Sequence, residues 1–311
     1  MKSLVLPAGL GTLIMAARPQ YLGASVAPVL VGSALGFTVS GSFSVGLFVL
    51  ALLAIMAVHA GANVTNDYFD HVSQDDWLNQ NPTPFSGGSR FIQKGLLSPR
   101  ATLLTGLAYL GIGAGIGLII VFMTRSMFIL GIGLAGVLGA YFYTAGPVQL
   151  GYRGIGEIVI GLLFGVLPTY ASYYLQAWSV GLLPLFPAII VAILIFLVIL
   201  INEFPDLPAD RQVHKKTMIV LLGVPPCVLI YRLTMAATYV LAALMLARQE
   251  TFFGGLFYLL TIPLAIFAMR SANVKDVLKP GLYRVNQLTI LLHNVGSVAL
   301  AGGLLVPRFV G

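Results

Sequence analysis

The stretch FSVGLFVLALLAIMAVHAGANVTNDYFDH, residues 43–71, decides the fold. It opens with about twenty residues that are almost wholly apolar, the length at which an α-helix crosses the hydrocarbon core of a bilayer. Asn66, Asp67 and Asp70 follow directly. A charged side chain at the centre of a membrane helix costs about 2.5–3.5 kcal/mol on insertion scales. The stretch therefore predicts a membrane helix with a polar cluster at one end, and that cluster needs an explanation.

The same apolar pattern recurs along the chain. Of its 311 residues, 58% are hydrophobic and only 9% are charged, whereas about a quarter of the residues of a typical soluble domain are charged. Because loops and open sheet edges cannot cross lipid, the apolar runs must be helices. We therefore predict an all-α, polytopic membrane protein. Its nine predicted spans lie at about 20–39, 43–65, 101–123, 126–144, 154–175, 181–202, 220–246, 252–270 and 286–307.

The distribution of Lys and Arg predicts the orientation, because cytoplasmic loops of membrane proteins carry an excess of these residues. If the N-terminus is cytoplasmic, 13 of the 17 Lys and Arg residues fall on that side, and only Arg125, Arg248 and Arg308 fall on the other. We therefore expect a multi-pass protein of the cell membrane with a cytoplasmic N-terminus and a cytoplasmic polar face. The net charge of +7 then reflects topology, and no basic soluble module is present to bind nucleic acid.

Two acidic motifs follow the second and the sixth predicted spans. In the first, Asn66 and Asp70 are four residues apart and share one helix face. The second, INEFPDLPADRQVHKKT at residues 201–217, repeats this spacing with Asn202, Asp206 and Asp210. A lone aspartate is explained as a solvated acid at the lipid–water boundary, but two matched sets favour a binding site. Their placement also predicts one domain, residues 1–311, built from two four-helix halves and one extra helix.

The side chains of these motifs suit a magnesium site. Proteins bind Mg²⁺ through one or two carboxylates together with substrate phosphates, and the chain has no Cys/His spacing typical of zinc. The two asparagines can add neutral oxygen ligands. The candidate metal ligands are Asn66, Asp70, Asn202, Asp206 and Asp210.

A phosphate bound at such a metal attracts cations, and four lie close to the motifs. Arg90 and Lys94 belong to the loop PFSGGSRFIQKG at residues 84–95, and Arg211 and Lys215 follow the last aspartate of the second motif. Arg grips phosphate through two parallel hydrogen bonds, and Lys acts as a point charge. Lys94 and Lys215 are equally well explained as cations that set the topology, whereas the closeness of Arg90 and Arg211 to a motif favours phosphate binding for these two.

Glycine-rich stretches add no nucleotide-binding motif. The chain contains no GxxxxGK[ST] sequence and is therefore not a P-loop protein. The stretch GIGAGIG at residues 111–117 lies inside a predicted span. Close packing of helices through small residues explains it better than nucleotide binding.

The two motifs on a nine-span chain, with Lys216-Thr217 after the second, resemble the UbiA superfamily of intramembrane prenyltransferases. The stretches PTPFSGGSRFIQKGLLS at residues 82–98 and YFYTAGPVQLGYRGIGEIVIGLLFGVLP at residues 141–168 are most similar to its menaquinone branch, whose members prenylate 1,4-dihydroxy-2-naphthoate. One departure concerns the third carboxylate of the extended pattern NDxxDxxxD. Gln74 occupies that position here, and either Asp75 or Asp76 is the alternative.

The resemblance implies a bundle of helices around a central cavity that the polar connections cap. It also implies an enzyme that transfers a polyprenyl group from a diphosphate such as geranylgeranyl diphosphate to an aromatic acceptor. Two Mg²⁺ ions would bridge the two motifs through the diphosphate. The catalytic residues carried over in this way are Asp67, Asp70, Asp206 and Asp210.

The resemblance suggests a mechanism in which Mg²⁺ and the four cations named above stabilise the leaving diphosphate. An aromatic face such as that of Tyr143 would stabilise the allylic cation, although anchoring at the membrane interface explains Tyr143 equally well. Arg153 is a candidate to orient the carboxylate of a naphthoate acceptor, or else a topological charge. Glu157 lies four residues after Arg153, so we expect a surface ion pair between the two.

Two alternatives stay open. The same transfer onto geranylgeranylglyceryl phosphate or 4-hydroxybenzoate would use the same motifs. A cation or metabolite transporter is a different class of protein, whose transport site lies near the middle of the membrane. The acids of this chain lie at the ends of predicted spans, which disfavours transport.

Overall fold

The computed structural model describes residues 9–80, 82–279 and 283–310, and Lys2, one of the predicted cytoplasmic cations, lies outside them. This part of the chain is helical apart from turns and two isolated β-bridges, Thr83 with Ser86 and Arg153 with Lys216. The helices are α1 (Leu10–Ala16), α2 (Gly23–Ser40), α3 (Val45–Val72), α4 (Asp75–Leu78), α5 (Pro99–Thr124), α6 (Met127–Phe142), α7 (Gly156–Ala177), α8 (Leu185–Glu203), α9 (Leu207–Gln212), α10 (Met218–Leu222), α11 (Val224–Met245), α12 (Phe252–Leu259), α13 (Ile262–Ser271), α14 (Arg284–Leu305) and α15 (Pro307–Val310).

The predicted all-α membrane architecture is confirmed. Within the described residues, seven helices are long and apolar enough to cross a membrane, and α12 with α13 makes an eighth if this pair, bent by 47°, is one span. The apolar helix α6 has 16 residues and is shorter than a typical span. The structure therefore does not confirm the predicted count of nine.

Short side chains and left-handed residues set the ends of these helices. The hydroxyls of Ser44, Ser98 and Ser126 accept hydrogen bonds from the backbone N–H three residues later and so cap α3, α5 and α6. Gly41 ends α2 at φ 73° and Trp178 ends α7 at φ 54°, the left-handed conformation common at helix C-termini. These serine caps explain why α3, α5 and α6 begin within two residues of their predicted starts.

The helix α3 is longer than predicted, because it continues beyond the expected end at residue 65 to Val72. Its 28 residues span about 42 Å at 1.5 Å per residue, whereas the hydrocarbon core is about 30 Å thick. The first acidic motif consequently lies on the last two turns of a continuous helix. Helical hydrogen bonding persists there after hydropathy has fallen, which is why the hydropathy pattern alone ended the span early.

The helix α8 forms the centre of the bundle. It packs against α2, α7, α11 and α14, and Leu194, Leu197 and Leu200 on it are fully inaccessible to solvent. The second acidic motif begins where α8 ends, at Asn202 and Glu203. That motif therefore follows directly from a well-buried helix.

The helices α3 and α5 approach closely at Gly113, the one glycine of the stretch at residues 111–117 where an added Cβ atom would meet a neighbouring atom within 4 Å. A Cβ atom at Gly113 would lie 2.6 Å from Val58 Cγ2 and 3.0 Å from the carbonyl oxygen of Ala54. A Cβ atom at Gly111 would meet nothing within 4 Å. Only one of these two glycines therefore faces α3 closely.

We predict that Gly113→Leu destabilises the protein and that Gly111→Leu, the matched control two residues away, does not. Forcing a side chain into a well-packed contact costs about 1–3 kcal/mol, so Gly113→Leu is expected to lower the midpoint of thermal unfolding in detergent. Equal midpoints for the two variants would contradict the close approach of α3 and α5.

Candidate active site

A cavity of about 220 Å³ lies at the ends of α3 and α8, beneath the connection formed by residues 73–98. We call it the carboxylate cavity. Its charged lining residues are the six acids Asp70, Asp75, Asp76, Glu203, Asp206 and Asp210 and the two cations Arg18 and Lys215. The acids outnumber the cations six to two along this wall.

Lys215 lies at the centre of the acids. Its Nζ is 2.8 Å from Asp75 Oδ2 and 3.5 Å from Asp70 Oδ1. Asp210 Oδ1 is 3.7 Å from the same nitrogen. All four side chains are largely buried, with at most 16% of each exposed. The structure thus brings the two acidic motifs together around one positively charged atom.

The residues of the first motif point in two directions. Asn66 Nδ2 donates to Asp70 Oδ2 at 2.5 Å, and both side chains line the carboxylate cavity. Asp67 instead forms an ion pair with Arg18 and accepts a hydrogen bond from the backbone N–H of Ser89. Asp67 consequently fastens the N-terminal segment and the polar connection to α3.

The backbone turn after α3 directs a further acid, Asp75, into the site. Gln74 has φ 69°, a left-handed conformation, and its side chain donates to the carbonyl of His71. This turn starts α4 and directs Asp75 toward Lys215, while Asp75 Oδ1 is buried with no hydrogen-bond partner. Asp76 also lines the cavity but accepts a hydrogen bond from Gln93 Nε2 at 3.2 Å. Asp75 therefore joins the cluster around Lys215, and Asp76 borders the same cavity without contacting that ammonium group.

Hydrogen bonds from three side chains hold the second motif, and two of them come from distant parts of the chain. Asn202 Oδ1 accepts a hydrogen bond from Asn286 Nδ2 on α14 at 2.8 Å. Asp206 Oδ1 accepts one from Asn79 Nδ2 at 2.7 Å. The hydroxyl of Thr217 donates to Asp210 Oδ2 at 3.3 Å. The asparagine and both aspartates are thus fixed in place by other elements before any ligand binds.

A tight glycine turn covers the acids. Gly87 and Gly88 have φ values of 76° and 73°, which side chains other than glycine rarely adopt. A Cβ atom at Gly88 would lie 2.7 Å from Asp76 Oδ2, and one at Gly87 would lie 2.8 Å from Asn79 Nδ2. Both glycines are therefore needed for the close approach of this loop to the carboxylate cavity.

The cations predicted from the sequence are not all in one place. Lys215 lines the carboxylate cavity. The guanidinium of Arg90 donates to the carbonyl of Asp76, and Arg90 and Lys94 line a neighbouring hollow that Arg18 shares. Arg211 is exposed. Arg18 lines both spaces, and sequence analysis missed it because no spacing relates it to the acid that it pairs with.

Tyr143 and Glu157 are both close to the site, whereas Arg153 is exposed. Tyr143 lines the carboxylate cavity. Arg153 donates to the backbone carbonyls of Pro147 and Val148. Glu157 is fully buried, and its Oε1 accepts a hydrogen bond from the backbone N–H of Met218 at 2.6 Å. The surface ion pair expected between Arg153 and Glu157 is therefore wrong, because the glutamate points into the bundle.

Burial and charge act against each other at the second motif. Burial raises the pKa of Asp210 to about 8 and that of Asp206 to about 6, although the ammonium group of Lys215 lowers both. Burial alone would lower the pKa of Lys215, but the surrounding carboxylates raise it well above its usual value. Lys215 consequently keeps its proton and serves as the internal counter-ion of the acids.

The fold and the cavity define the class: a multi-pass membrane protein with a buried group of acids around one ammonium group at one end of its helices. The sequence profile of the UbiA prenyltransferase family matches residues 25–280. The 1,4-dihydroxy-2-naphthoate octaprenyltransferases of Mycobacterium leprae and Haemophilus influenzae are 29% and 30% identical to this chain. Those alignments cover 94% and 92% of this chain and 95% and 94% of the two relatives.

A solved structure has the same fold. It is a UbiA homolog from Archaeoglobus fulgidus bound to DMAPP and Mg²⁺, which matches with a TM-score of 0.67 at 19% identity and covers 93% of this chain and 98% of that one. The chain belongs to the UbiA prenyltransferase family, and its predicted resemblance is confirmed. It is a prenyltransferase.

We predict that Lys215→Met destabilises the protein in EDTA, whereas Lys216→Met, a change to the exposed neighbouring lysine, has little effect. Removing one partner of a buried ion pair costs up to about 3–5 kcal/mol, because the other charges are left uncompensated. The midpoint of thermal unfolding measures the difference. Equal midpoints for the two variants would mean that Lys215 is not the counter-ion of the three aspartates.

Proposed function

We propose that this prenyltransferase transfers a polyprenyl group from a polyprenyl diphosphate to 1,4-dihydroxy-2-naphthoate, a step in menaquinone biosynthesis, and that the reaction depends on Mg²⁺. The observation that carries the proposal is the convergence of Asp70, Asp75 and Asp210 on one cation, the Nζ atom of Lys215. A place that already attracts an ammonium group between hard oxygen ligands also suits a divalent metal.

The donor set fits magnesium. Asp75 Oδ1 and Asp210 Oδ1 are buried without hydrogen-bond partners, so they are available as ligands. Mg²⁺ bound here would neutralise charge on a diphosphate leaving group. We propose that two ions bind. Their proposed ligands are the predicted residues Asn66, Asp70, Asn202, Asp206 and Asp210, to which the structure leads us to add Asp75.

We propose different roles for the cationic side chains in and near the site. Lys215 would be free to contact a diphosphate oxygen if Asp70, Asp75 and Asp210 held a metal ion. Arg18 offers a second positive charge on the same wall. Arg90, Lys94 and Arg211 lie outside this wall, so we propose that they attract the diphosphate toward the cavity rather than hold it.

The deeper side of the cavity supports a prenyl substrate. Ala62 on α3, Phe164 on α7 and Ile195 on α8 line it, each farther into the bundle than the acidic motifs. The C–O bond that breaks joins the diphosphate to the prenyl chain, which we place in this apolar region. Tyr143 lines the cavity as well, and its ring is our proposed stabiliser of the allylic cation by up to about 2 kcal/mol. The glycine turn above the acids would keep water from that cation.

The names of two relatives support 1,4-dihydroxy-2-naphthoate as the acceptor. The two relatives that are named 1,4-dihydroxy-2-naphthoate octaprenyltransferases align with more than nine tenths of this chain. Arg153 remains our proposed contact for the acceptor carboxylate, and it would have to release the carbonyls of Pro147 and Val148 to make it.

We also propose that the chain is a single domain of two four-helix halves and one extra helix. The excess of Lys and Arg supports a cell-membrane location with the site facing the cytoplasm.

The proposal predicts Mg²⁺-dependent diphosphate release by the protein purified in detergent with geranylgeranyl diphosphate and 1,4-dihydroxy-2-naphthoate. Asp70→Asn and Asp210→Asn are each expected to lower kcat/KM at least about 100-fold, since they remove groups that stabilise the transition state. Asp276→Asn is the matched control, because Asp276 pairs with exposed Lys279 away from the cavity. Mass spectrometry identifies the product.

The acceptor is tested in parallel with 4-hydroxybenzoate and geranylgeranylglyceryl phosphate. Turnover with one of these and none with the naphthoate would move the chain to another branch of its family. Full activity in EDTA, or equal activity of Asp70→Asn and Asp276→Asn, would contradict the metal site itself.

A further inference from the structure

The apolar side of the carboxylate cavity contains one imidazole. His59 lies there, with its ring centroid 4.9 Å from that of Phe164. No other histidine is found among the described residues that line the cavity. A polar group in apolar surroundings costs free energy unless it is hydrogen-bonded. His59 therefore needs partners for both of its ring nitrogens.

Ser25 determines which ring nitrogen carries the proton. Its Oγ lies 2.7 Å from His59 Nδ1, and Ser25 is fully buried on α2. The hydroxyl makes no other hydrogen bond among the described residues, so its proton is satisfied only if it donates to Nδ1. The neutral imidazole then carries its own proton on Nε2. The residue lines the cavity, and its N–H donor consequently has no hydrogen-bond partner among the described residues.

The position of His59 along α3 sets the distance from the diphosphate end. His59 lies seven residues before Asn66 and eleven before Asp70, which corresponds to about 10 Å and about 16 Å along the helix axis. A group at His59 therefore lies farther into the bundle than the aspartates of the first motif. It lies at the level of the prenyl chain or of the ring that attacks it.

The chemistry of the two substrates separates these possibilities. A prenyl chain is a hydrocarbon and offers no acceptor to an N–H group. Burying that donor against hydrocarbon would leave it unsatisfied, which weakens binding. An aromatic acceptor with ring oxygens can accept the hydrogen bond.

We propose that His59 is a specificity-determining residue of the acceptor site: its Nε2–H donates a hydrogen bond to the ring oxygen remote from the acceptor's carboxylate. Ser25 acts as a positioning residue, because it holds the imidazole in this tautomer. The inference rests on the proposed function, since it requires an oxygenated aromatic acceptor. The inference concerns which oxygen of the acceptor His59 binds, and it leaves the proposed reaction unchanged.

The first test compares Michaelis constants. His59→Phe keeps an aromatic ring beside Phe164 and removes the donor. We expect the KM for 1,4-dihydroxy-2-naphthoate to rise about tenfold, the effect of losing one hydrogen bond, while the KM for geranylgeranyl diphosphate stays within about twofold. His59→Gln retains an N–H donor and is expected to recover part of the loss. A rise in the KM for the diphosphate substrate alone would overturn the proposal and place the prenyl chain at His59.

Ser25→Ala tests the same inference without touching the imidazole. Its matched control is Ser33→Ala on the same helix, because the Ser33 hydroxyl is buried with no hydrogen-bond partner. We expect Ser25→Ala to raise the KM for the acceptor and Ser33→Ala to leave it unchanged. This pair also decides the question if His59→Phe does not fold. Equal effects of the two serine variants would overturn the positioning role.

Inhibition by 1-hydroxy-2-naphthoate, which lacks the oxygen at ring position 4, identifies the recognised atom. If His59 binds that oxygen, the inhibition constant of this compound is the same for the wild type and His59→Phe. A tenfold difference would overturn the assignment of the remote oxygen. Failure of the wild type to turn over any acceptor would instead contradict the proposed function, so the two failures are distinguishable.

Discussion

The ion-pair cluster around Lys215 is the interaction on which the active end of the molecule depends. Three buried aspartates, Asp70, Asp75 and Asp210, come from separate segments and meet at one ammonium group. Buried charges of one sign repel each other unless a partner compensates them. Three features bring these acids together: the extension of α3, the left-handed turn at Gln74 and the burial of α8. The positive charge of Lys215 offsets the repulsion between the carboxylates.

The surrounding bundle explains why such a cluster can exist in a membrane protein. The apolar helices place the acids at their ends rather than in mid-membrane, where charges are most costly. The carboxylate cavity consequently has a charged side and an apolar side within one space. The charged side suits a diphosphate with its metal ions, and the apolar side suits a hydrocarbon chain and an aromatic ring. The division of the cavity thus matches the two chemical halves of the prenyl-transfer reaction.

Local sequence signals predicted most of the helices, because hydropathy is a property of neighbouring residues. The resemblance to a known family, and not the spacing within each motif, implied that the two acidic motifs meet. Contacts between distant residues were not predictable in this way. The pairing of Arg18 with Asp67 joins residues 49 positions apart, and no pattern in the sequence relates them. Arg232, a cation within a membrane helix, donates to the carbonyls of Met269 and Ala272 at the end of α13. That role becomes visible only once α11 and α13 are packed together.

The most direct measurement of the central claim is the location of Mn²⁺, in place of Mg²⁺, by anomalous scattering from crystals that contain an unreactive prenyl thiodiphosphate. The account predicts Mn²⁺ at ligand distance, about 2.0–2.6 Å, from oxygens of Asp70, Asp75 or Asp210. It also predicts that Lys215 has left at least one of these carboxylates to contact the diphosphate. Mn²⁺ bound elsewhere, with Lys215 still between the three aspartates, would contradict it.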